Sequence, residues 1–126
     1  MDRKKIVITR KIPEAGVEKL KEIFDVVVSP FDRDVTQDEI IKMATGAQGL
    51  VSMVTNNLNK DIIDHLTPIK IIANYAVGFN NIDIEYAREK DIVVTNTPDV
   101  LTEATADIAM ALILCVARRI VEGDRL

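Results

Sequence analysis

The sequence predicts an α/β fold: a doubly wound parallel sheet of five strands with helices on both faces. Short apolar runs without polar alternation recur along the chain, as is typical of strands that are covered on both sides. Segments with helical spacing lie between these runs, at roughly 20 to 25 residues per strand-helix unit. Successive right-handed crossovers of a parallel sheet produce this alternation. No linker rich in glycine, serine or proline divides the chain.

Composition favours one compact domain and argues against several classes of partner. The 126 residues are 48% apolar, which is enough for a core that is stable without disulfide bonds or bound metal ions. A net charge of −4 with scattered basic residues argues against nucleic-acid binding. Cys115 is the only cysteine, and Asp2 and Arg3 occupy positions where a signal peptide would become apolar. We therefore expect a cytoplasmic protein with no membrane span, nucleic-acid partner or metal site.

Five apolar runs predict the strands, at residues 6–8, 26–28, 49–54, 69–73 and 92–94. Behind the first run, Pro13 stands where the first turn of a helix tolerates proline. Apolar residues then recur at three- and four-residue spacing, at Val17, Leu20, Ile23 and Phe24. This spacing predicts an amphipathic helix between the first two strands.

The later helices have recognisable first residues. Thr36, with Glu39 three positions later, forms a capping-box pattern. Asn59 and Asp83 are suited to cap the next two helices. The last helix is predicted over residues 102–122. The flavodoxin-like strand order 2-1-3-4-5 is the commonest arrangement of five such units, and we expect it here.

The last helix is apolar over an unusually wide arc. Apolar side chains of residues 108–121 cover roughly 200° of the helix circumference, where a stripe of about 100° is sufficient for packing on one sheet. A well-buried helix of a small domain would explain this width. The alternatives are a chain that continues in a larger protein, or a second copy that covers the exposed side. We expect the helix to fold back on the sheet or to pair with another copy.

Ligands of open parallel sheets bind beyond the carboxyl ends of the strands. The residues there lack the paired acids of a phosphoacceptor receiver domain and the hydroxyl- and glycine-rich loop of a flavodoxin. No Gly-x-Gly-x-x-Gly turn for a dinucleotide occurs among the five glycines. These three classes of site are therefore not favoured.

The segment NYAVGFNNID, residues 74–83, remains, and it carries no charge before its last residue. Gly78 can take a positive φ, and successive backbone N–H groups in such a turn form an anion-binding nest. Ala76, Val77 and Gly78 could therefore hold a carboxylate. Spacing alone favours the alternative that Gly78 makes a tight turn, stabilised by Asn80 or Asn81.

The chain resembles the D-isomer-specific 2-hydroxyacid dehydrogenases, which include glyoxylate/hydroxypyruvate reductases and phosphoglycerate dehydrogenases. The resemblance is densest in IKIIANYAVGFNNIDIEYAREKDIVVTNTPDVLTEATADIAMALILCVARRI. It implies that residues 1–98 are a flavodoxin-like substrate-binding domain. It also implies that residues 99–126 connect to a missing Rossmann-type NAD(P) domain, with a homodimer interface through residues 102–122.

The resemblance assigns roles to individual residues. It implies that the N–H groups of Val77 and Gly78, beside Ala76, bind the substrate carboxylate. Met53 would line the substrate pocket, although core packing is an alternative for a methionine. Thr105 would lie near the nicotinamide of the cofactor, with capping of the helix as its plain alternative.

Two features depart from the family pattern. Asp91 stands where the family often has glycine, and aspartate tolerates a left-handed turn better than most residues. The family's dinucleotide turn and its downstream arginine, glutamate and histidine have no counterparts here, and His65 is expected to be a surface or helix-end residue.

The leading hypothesis is that the chain is part of a longer NAD(P)-dependent enzyme that reduces a 2-oxo acid such as glyoxylate. Alone it should have no catalytic residues, no bound cofactor and no activity. The alternative is a stand-alone module that binds a small acid or a protein partner. The sequence leaves open which 2-oxo acid is used and whether the cofactor is NAD or NADP.

Overall fold

The computed structural model describes residues 2–126. Its strands and helices, in chain order, are β1 (Lys5–Ile8), α1 (Glu14–Lys21), β2 (Asp25–Val28), α2 (Gln37–Ala44), β3 (Gly49–Met53), α3 (Lys60–Asp64), β4 (Ile71–Tyr75), α4 (Ile84–Glu89), β5 (Val93–Thr95), α5 (Thr102–Ala117) and α6 (Ile120–Asp124). The strands are all parallel and form one sheet in the order β2-β1-β3-β4-β5. The predicted fold class and strand order are confirmed.

The core lies on both faces of this sheet, because successive residues of a strand point to opposite sides. On one face, α2, α3 and α4 pack over a cluster that includes Val7, Leu50 and Ile72. On the other face, Val17 of α1 packs with Ile8 and Met53. Helices therefore cover both faces, as predicted.

The sheet face that α1 covers is buried at β1 and β3 but exposed at β4 and β5. Tyr75 pairs in register with Met53, and Val93 with Ile71, so all four side chains belong to this face. Met53 is buried, whereas Ile71, Tyr75 and Val93 are 39%, 51% and 58% exposed. Among residues 2–126, no helix covers this face of β4 and β5.

The predicted helix caps are confirmed. The Thr36 side chain accepts a hydrogen bond from the Glu39 N–H at 3.2 Å, and the Glu39 carboxylate accepts one from the Thr36 N–H at 2.8 Å. Asn59 and Asp83 accept the N–H three residues on, at 3.1 Å and 3.0 Å. Asp91 has a φ of 55°, the left-handed conformation expected of it. Local sequence therefore fixes where these helices begin.

Two predicted helix extents are wrong. The first helix ends at Lys21, so Ile23 and Phe24 lie beyond it, and Ile23 is 65% exposed. The single helix predicted over residues 102–122 is divided into α5 and α6. Arg119 has a φ of 50°, and a left-handed residue cannot continue a right-handed helix.

The last two helices bury no side chain in the described chain. Ile108 is 62% and Val116 78% exposed, and Cys115 is half-buried. The helix α5 does not fold back on the sheet, which was one of the two expected arrangements. Pairing with a second copy stays a prediction. None of the helices formed by residues 2–126 has the length and apolarity that crossing a bilayer requires.

Candidate carboxylate-binding site

The loop that follows β4, residues 76–82, is called the donor loop here, and hydrogen bonds to three of its consecutive carbonyl groups hold it in place. The Ala76 oxygen accepts from the Thr97 N–H at 2.9 Å. The Val77 oxygen accepts from Asn96 Nδ2 at 2.7 Å, and the Gly78 oxygen accepts from Asn74 Nδ2 at 3.1 Å. These contacts connect the loop to β4 itself and to the segment after β5. The orientation of its peptide groups is therefore fixed from outside the loop.

The N–H groups of Val77 and Gly78 are left as donors. Neither has a protein acceptor within residues 2–126, and both residues are exposed. The Ala76 N–H, by contrast, donates to the Asn74 carbonyl at 2.8 Å. Of the three residues considered from sequence, two thus present a free main-chain donor. Two adjacent donors in one loop can both bind an oxygen anion.

Gly78 does not adopt the conformation expected of it. Its φ lies outside the left-handed region, and of the five glycines only Gly46, at 72°, is left-handed. The expected positive-φ nest is therefore wrong as a description of this loop. The Ala76 and Val77 carbonyls are held by Thr97 and Asn96, so the N–H groups of Val77 and Gly78, which share their peptide units, point away from these two residues. This arrangement does not depend on a glycine-specific backbone. A Cβ at Gly78 would lie 3.4 Å from Asn80 Oδ1, an ordinary contact distance.

Asn74 joins this loop to the core of the sheet. Its side chain is buried, with 2% of the residue exposed. Its Oδ1 accepts from Ser52 Oγ at 2.9 Å and from Asn81 Nδ2 at 3.3 Å. Its Nδ2 donates to Asn81 Oδ1 at 2.9 Å as well as to Gly78. All the hydrogen-bonding capacity of a buried amide is thus used, which makes its position rigid.

A second buried amide extends the network to β1 and β3. Asn56 Oδ1 accepts from Thr9 Oγ1 at 2.6 Å and from the Met53 N–H at 2.8 Å. Asn81 Nδ2 donates to the Met53 oxygen at 3.2 Å and to the Asn56 oxygen at 3.0 Å. The carboxyl ends of β1, β3 and β4 are therefore joined by side-chain amides. Of the two asparagines expected to stabilise the turn, Asn80 and Asn81, it is Asn81 that forms these hydrogen bonds.

The other residues singled out from sequence lie apart from these donors. The Met53 side chain is 8% exposed and packs with Ile8 and Val17, so it is core, and pocket lining stays a prediction. Thr105 is exposed on α5, and no side chain caps this helix. His65 is an exposed residue at the end of α3, as expected, with Nδ1 2.7 Å from the Asp61 oxygen.

A cavity of about 340 Å³ adjoins the donor loop. Its lining is mostly apolar and consists of Tyr75, Ala76, Val77, Thr97, Val100 and Leu101. A pocket of this size suits a small organic molecule. The cavity therefore provides space for a small apolar group between the loop and the segment after β5.

The loop itself is electrically neutral. Residues 74–82 carry no ionisable acid or base other than Tyr75, so no charged group competes with a ligand for the loop donors. Arg10, which follows β1 at the same edge of the sheet, is paired with Asp34 at 2.9 Å. Asp34 also accepts from Thr55 Oγ1 at 2.9 Å. The groups that residues 74–82 themselves offer to an anion are main-chain donors, and binding by such donors without a cationic partner is expected to be weak.

The described residues do not fit a nicotinamide dinucleotide. The glycines lie at 16, 46, 49, 78 and 123, and of these only Gly78 falls between the end of a strand and the helix that follows it. A dinucleotide cradle needs three closely spaced glycines at such a turn. Residues 2–126 therefore offer no cradle for a pyrophosphate, and they also contain no group of three side chains that could hold a metal ion.

Comparison with known proteins identifies the family. The model of the D-isomer specific 2-hydroxyacid dehydrogenase catalytic domain matches residues 6–113. A Staphylococcus aureus protein assigned as a 2-hydroxyacid dehydrogenase is 52% identical over 122 residues, which are 97% of this chain and 38% of that protein. The glyoxylate reductase of Thermococcus kodakarensis is 47% identical over 122 residues, 97% of this chain and 37% of the reductase.

A solved structure agrees with these sequence matches. The crystal structure of a Polaromonas protein assigned as an NAD-binding D-isomer specific 2-hydroxyacid dehydrogenase superposes with a TM-score of 0.83 at 36% identity. The match covers 99% of this chain and 39% of that protein. The chain thus spans less than half the length of the relatives it matches. Sequence, family model and fold agree, and the chain belongs to the D-isomer specific 2-hydroxyacid dehydrogenase family.

Proposed function

We propose that this chain is the substrate-binding part of an NAD(P)-dependent D-2-hydroxyacid dehydrogenase that acts on a small 2-oxo acid such as glyoxylate. In this proposal residues 1–98 form the substrate-binding domain and residues 99–126 connect it to a nucleotide-binding domain. The observation that carries the proposal is the pair of unpartnered N–H groups at Val77 and Gly78. Family membership and the identity to a glyoxylate reductase support it.

The chemistry of the proposed ligand suits the loop. A 2-oxo acid and its 2-hydroxy acid product share a carboxylate, which accepts hydrogen bonds from two adjacent donors. Hydrogen bonds to a charged acceptor are roughly twice as strong as those between neutral groups. The methyl group of Ala76 and the absence of a side chain at Gly78 allow a ligand to approach the backbone, and Met53 ends the neighbouring strand.

The contribution of this chain to the reaction is binding and orientation. In the longer enzyme, NAD or NADP would supply or take the hydride at C2 of the acid, and Thr105 is proposed to lie near the nicotinamide. The donor loop carries no general acid or base for the accompanying proton. We therefore expect the purified 126-residue chain to show no turnover with NADH or NADPH and glyoxylate.

The proposal is tested by titrating the isotopically labelled chain with glycolate, a 2-hydroxy acid that does not react with lysine. The expected result is a saturable change in the amide resonances of Val77 and Gly78, with millimolar affinity because a loop without a cationic partner binds weakly. Glycolamide, which has an uncharged amide in place of the carboxylate, is the matched control and should leave both resonances unchanged. Equal effects of the two compounds, or none at either residue, would contradict carboxylate binding.

We also propose that residues 102–122 form an interface between two copies of the chain. The exposed apolar side chains of α5 support this, since a soluble monomer rarely leaves so large an apolar surface in water. Symmetric pairing of the same helix from two chains would cover it.

A further inference from the structure

The segment after β5 holds the donor loop through two consecutive residues. Asn96 is half-buried, and its Nδ2 donates to the Val77 carbonyl at 2.7 Å. The next residue, Thr97, donates its backbone N–H to the Ala76 carbonyl at 2.9 Å. Adjacent residues of one segment thus bind adjacent carbonyls of the other.

Each of these contacts orients an N–H group as well as a carbonyl. The carbonyl of one residue and the N–H of the next belong to the same planar peptide unit and point in opposite directions. The contact from Asn96 to the Val77 oxygen therefore sets the direction of the Gly78 N–H. The contact from Thr97 to the Ala76 oxygen sets the direction of the Val77 N–H in the same way.

The two contacts differ in which residue types can make them. The Thr97 contact uses the main chain, so any residue except proline can make it. The Asn96 contact uses a side-chain amide, and it is the one hydrogen bond that this side chain makes within residues 2–126. It reaches the middle of an exposed loop whose glycine is not in a restricted conformation. No other contact described for the chain holds the Val77–Gly78 peptide unit.

We propose that Asn96 is a positioning residue, which fixes the Gly78 N–H in the direction that a bound carboxylate requires. The inference rests on the proposed function, because it gives the oriented N–H a ligand. A purely structural role for Asn96 in β5 is less consistent with the contacts. The strand β5 is paired with β4 through residues 93–95, and the Asn96 side chain takes no part in that pairing.

The first test needs no ligand. We expect Asn96→Ala to increase the fast motion of the Gly78 N–H, lowering its NMR order parameter from about 0.85 toward about 0.6, while Val77, held by Thr97, keeps its value. Asn57→Ala is the matched control, because Asn57 is an exposed asparagine in the loop after β3 whose side chain makes no hydrogen bond within the described residues. An unchanged order parameter at Gly78 would overturn the inference, whatever the chain binds. Asn96→Asp, which keeps the shape but cannot donate, should give the same result and serves if the alanine variant is poorly folded.

The second test uses glycolate. We expect Asn96→Ala to weaken glycolate binding about tenfold, with the larger loss of the resonance change at Gly78 and an unchanged melting temperature. Equal affinity in wild type and Asn96→Ala would overturn the positioning role. If wild type itself fails to bind glycolate, the proposed function fails and with it the need for an oriented donor, whereas the order parameters still show whether Asn96 holds Gly78.

Discussion

At the scale of single residues, the site depends on side-chain amides more than on charged groups. The Asn74 and Asn81 side chains bond each other, and Asn81 also donates to the Met53 and Asn56 carbonyls. Asn56 Oδ1 accepts from Thr9 Oγ1 and from the Met53 N–H. A buried amide that keeps all its partners is rigid, and one that loses a partner leaves polar groups unpaired in a dry interior. The amides therefore contribute both to the stability of the fold and to the shape of the donor loop.

The first prediction concerns the pair of Asn74 and Ser52. We expect Asn74→Ala to lower the free energy of unfolding by about 2 to 3 kcal/mol, because Ser52 and Asn81 lose their buried partner. Ser52→Ala should cost about 1 kcal/mol, and the double variant should cost less than the sum of the two. Urea denaturation of the four proteins measures this. Strict additivity would show that the 2.9 Å contact contributes nothing.

The second prediction concerns the conformation of two glycines. Gly46→Ala should destabilise the chain by about 1 to 2 kcal/mol, because its φ of 72° is strained for any residue with a Cβ. Gly78→Ala should change the free energy of unfolding by less than about 0.5 kcal/mol, because its backbone is not left-handed. Thermal unfolding of the two variants decides this. A larger loss at Gly78 than at Gly46 would contradict the described loop.

The sequence alone located the donor loop but not the reason for its geometry. The segment is recognisable as an uncharged turn after a strand, and the family resemblance points to Val77 and Gly78 within it. The contacts that hold it join residues far apart in the chain, such as Asn96 and Val77, 19 positions apart. Such pairs depend on the register of neighbouring strands, which local patterns do not specify. The only sequence signal for these contacts is an asparagine near the end of the fourth strand, Asn74, and another directly after the fifth strand, Asn96.

At the scale of elements, helix α2 shows how local chemistry fixes a helix start. Glu39 closes the capping box at Thr36, and its carboxylate also forms two hydrogen bonds with Arg33, at 2.7 Å and 2.9 Å. The Arg33 guanidinium and the Thr36 N–H together lower the pKa of Glu39 to about 2 from a usual value of 4.5. The charged form of Glu39 is thus favoured in the folded protein.

The third prediction follows from this pKa. A carboxylate whose pKa is lowered by folding stabilises the fold above its unfolded value of 4.5, and this contribution is lost as pH falls toward about 2. Glu39→Gln should therefore lower the melting temperature at pH 7, and the difference from wild type should narrow between pH 5 and pH 3. Asp38→Asn, one residue earlier in the same exposed turn, is the control. A difference that stays constant with pH would contradict the role of the charge.

The fourth prediction concerns helix α5. Leu112 is 60% exposed in the single chain, so Leu112→Glu should abolish self-association without lowering the melting temperature of the monomer. Ile23→Glu, at an apolar residue that is 65% exposed but lies outside α5, should leave association intact. Sedimentation velocity over a range of concentrations measures both. A wild-type chain that stays monomeric at the highest concentration would refute the interface through residues 102–122.

Elements with local signals are predictable, and so is the start of the last helix at Thr102, but its placement and its early end are not. The caps at Thr36, Asn59 and Asp83 and the five strands were all readable from short patterns. Apolar periodicity shows that a helix has an apolar face but not which surface covers that face. It therefore could not place α5 off the sheet, and it could not foresee the left-handed Arg119 that ends the helix early.

At the scale of the whole molecule, the fold brings distant segments to one edge of the sheet. The core is formed by β1 to β5 and α1 to α4, and α5 and α6 bury no side chain. The donor loop, the amide network and the hydrogen bond from Asn96 to Val77 all lie at the carboxyl edge of the sheet. This edge is where an open parallel sheet binds ligands. The architecture thus supports a binding role that a second domain could complete.

As proposed above, this chain supplies the carboxylate-binding half of a 2-hydroxyacid dehydrogenase, and a longer protein built on it should be active. The most direct measurement is the activity of a chimaera in which residues 1–126 replace the matching part of the Thermococcus kodakarensis glyoxylate reductase, to which they are 47% identical. We predict that the chimaera reduces glyoxylate with a nicotinamide cofactor, and that Asn96→Ala lowers its kcat/KM about tenfold while Asn57→Ala does not. A folded chimaera that binds the cofactor but reduces no 2-oxo acid would contradict the claim.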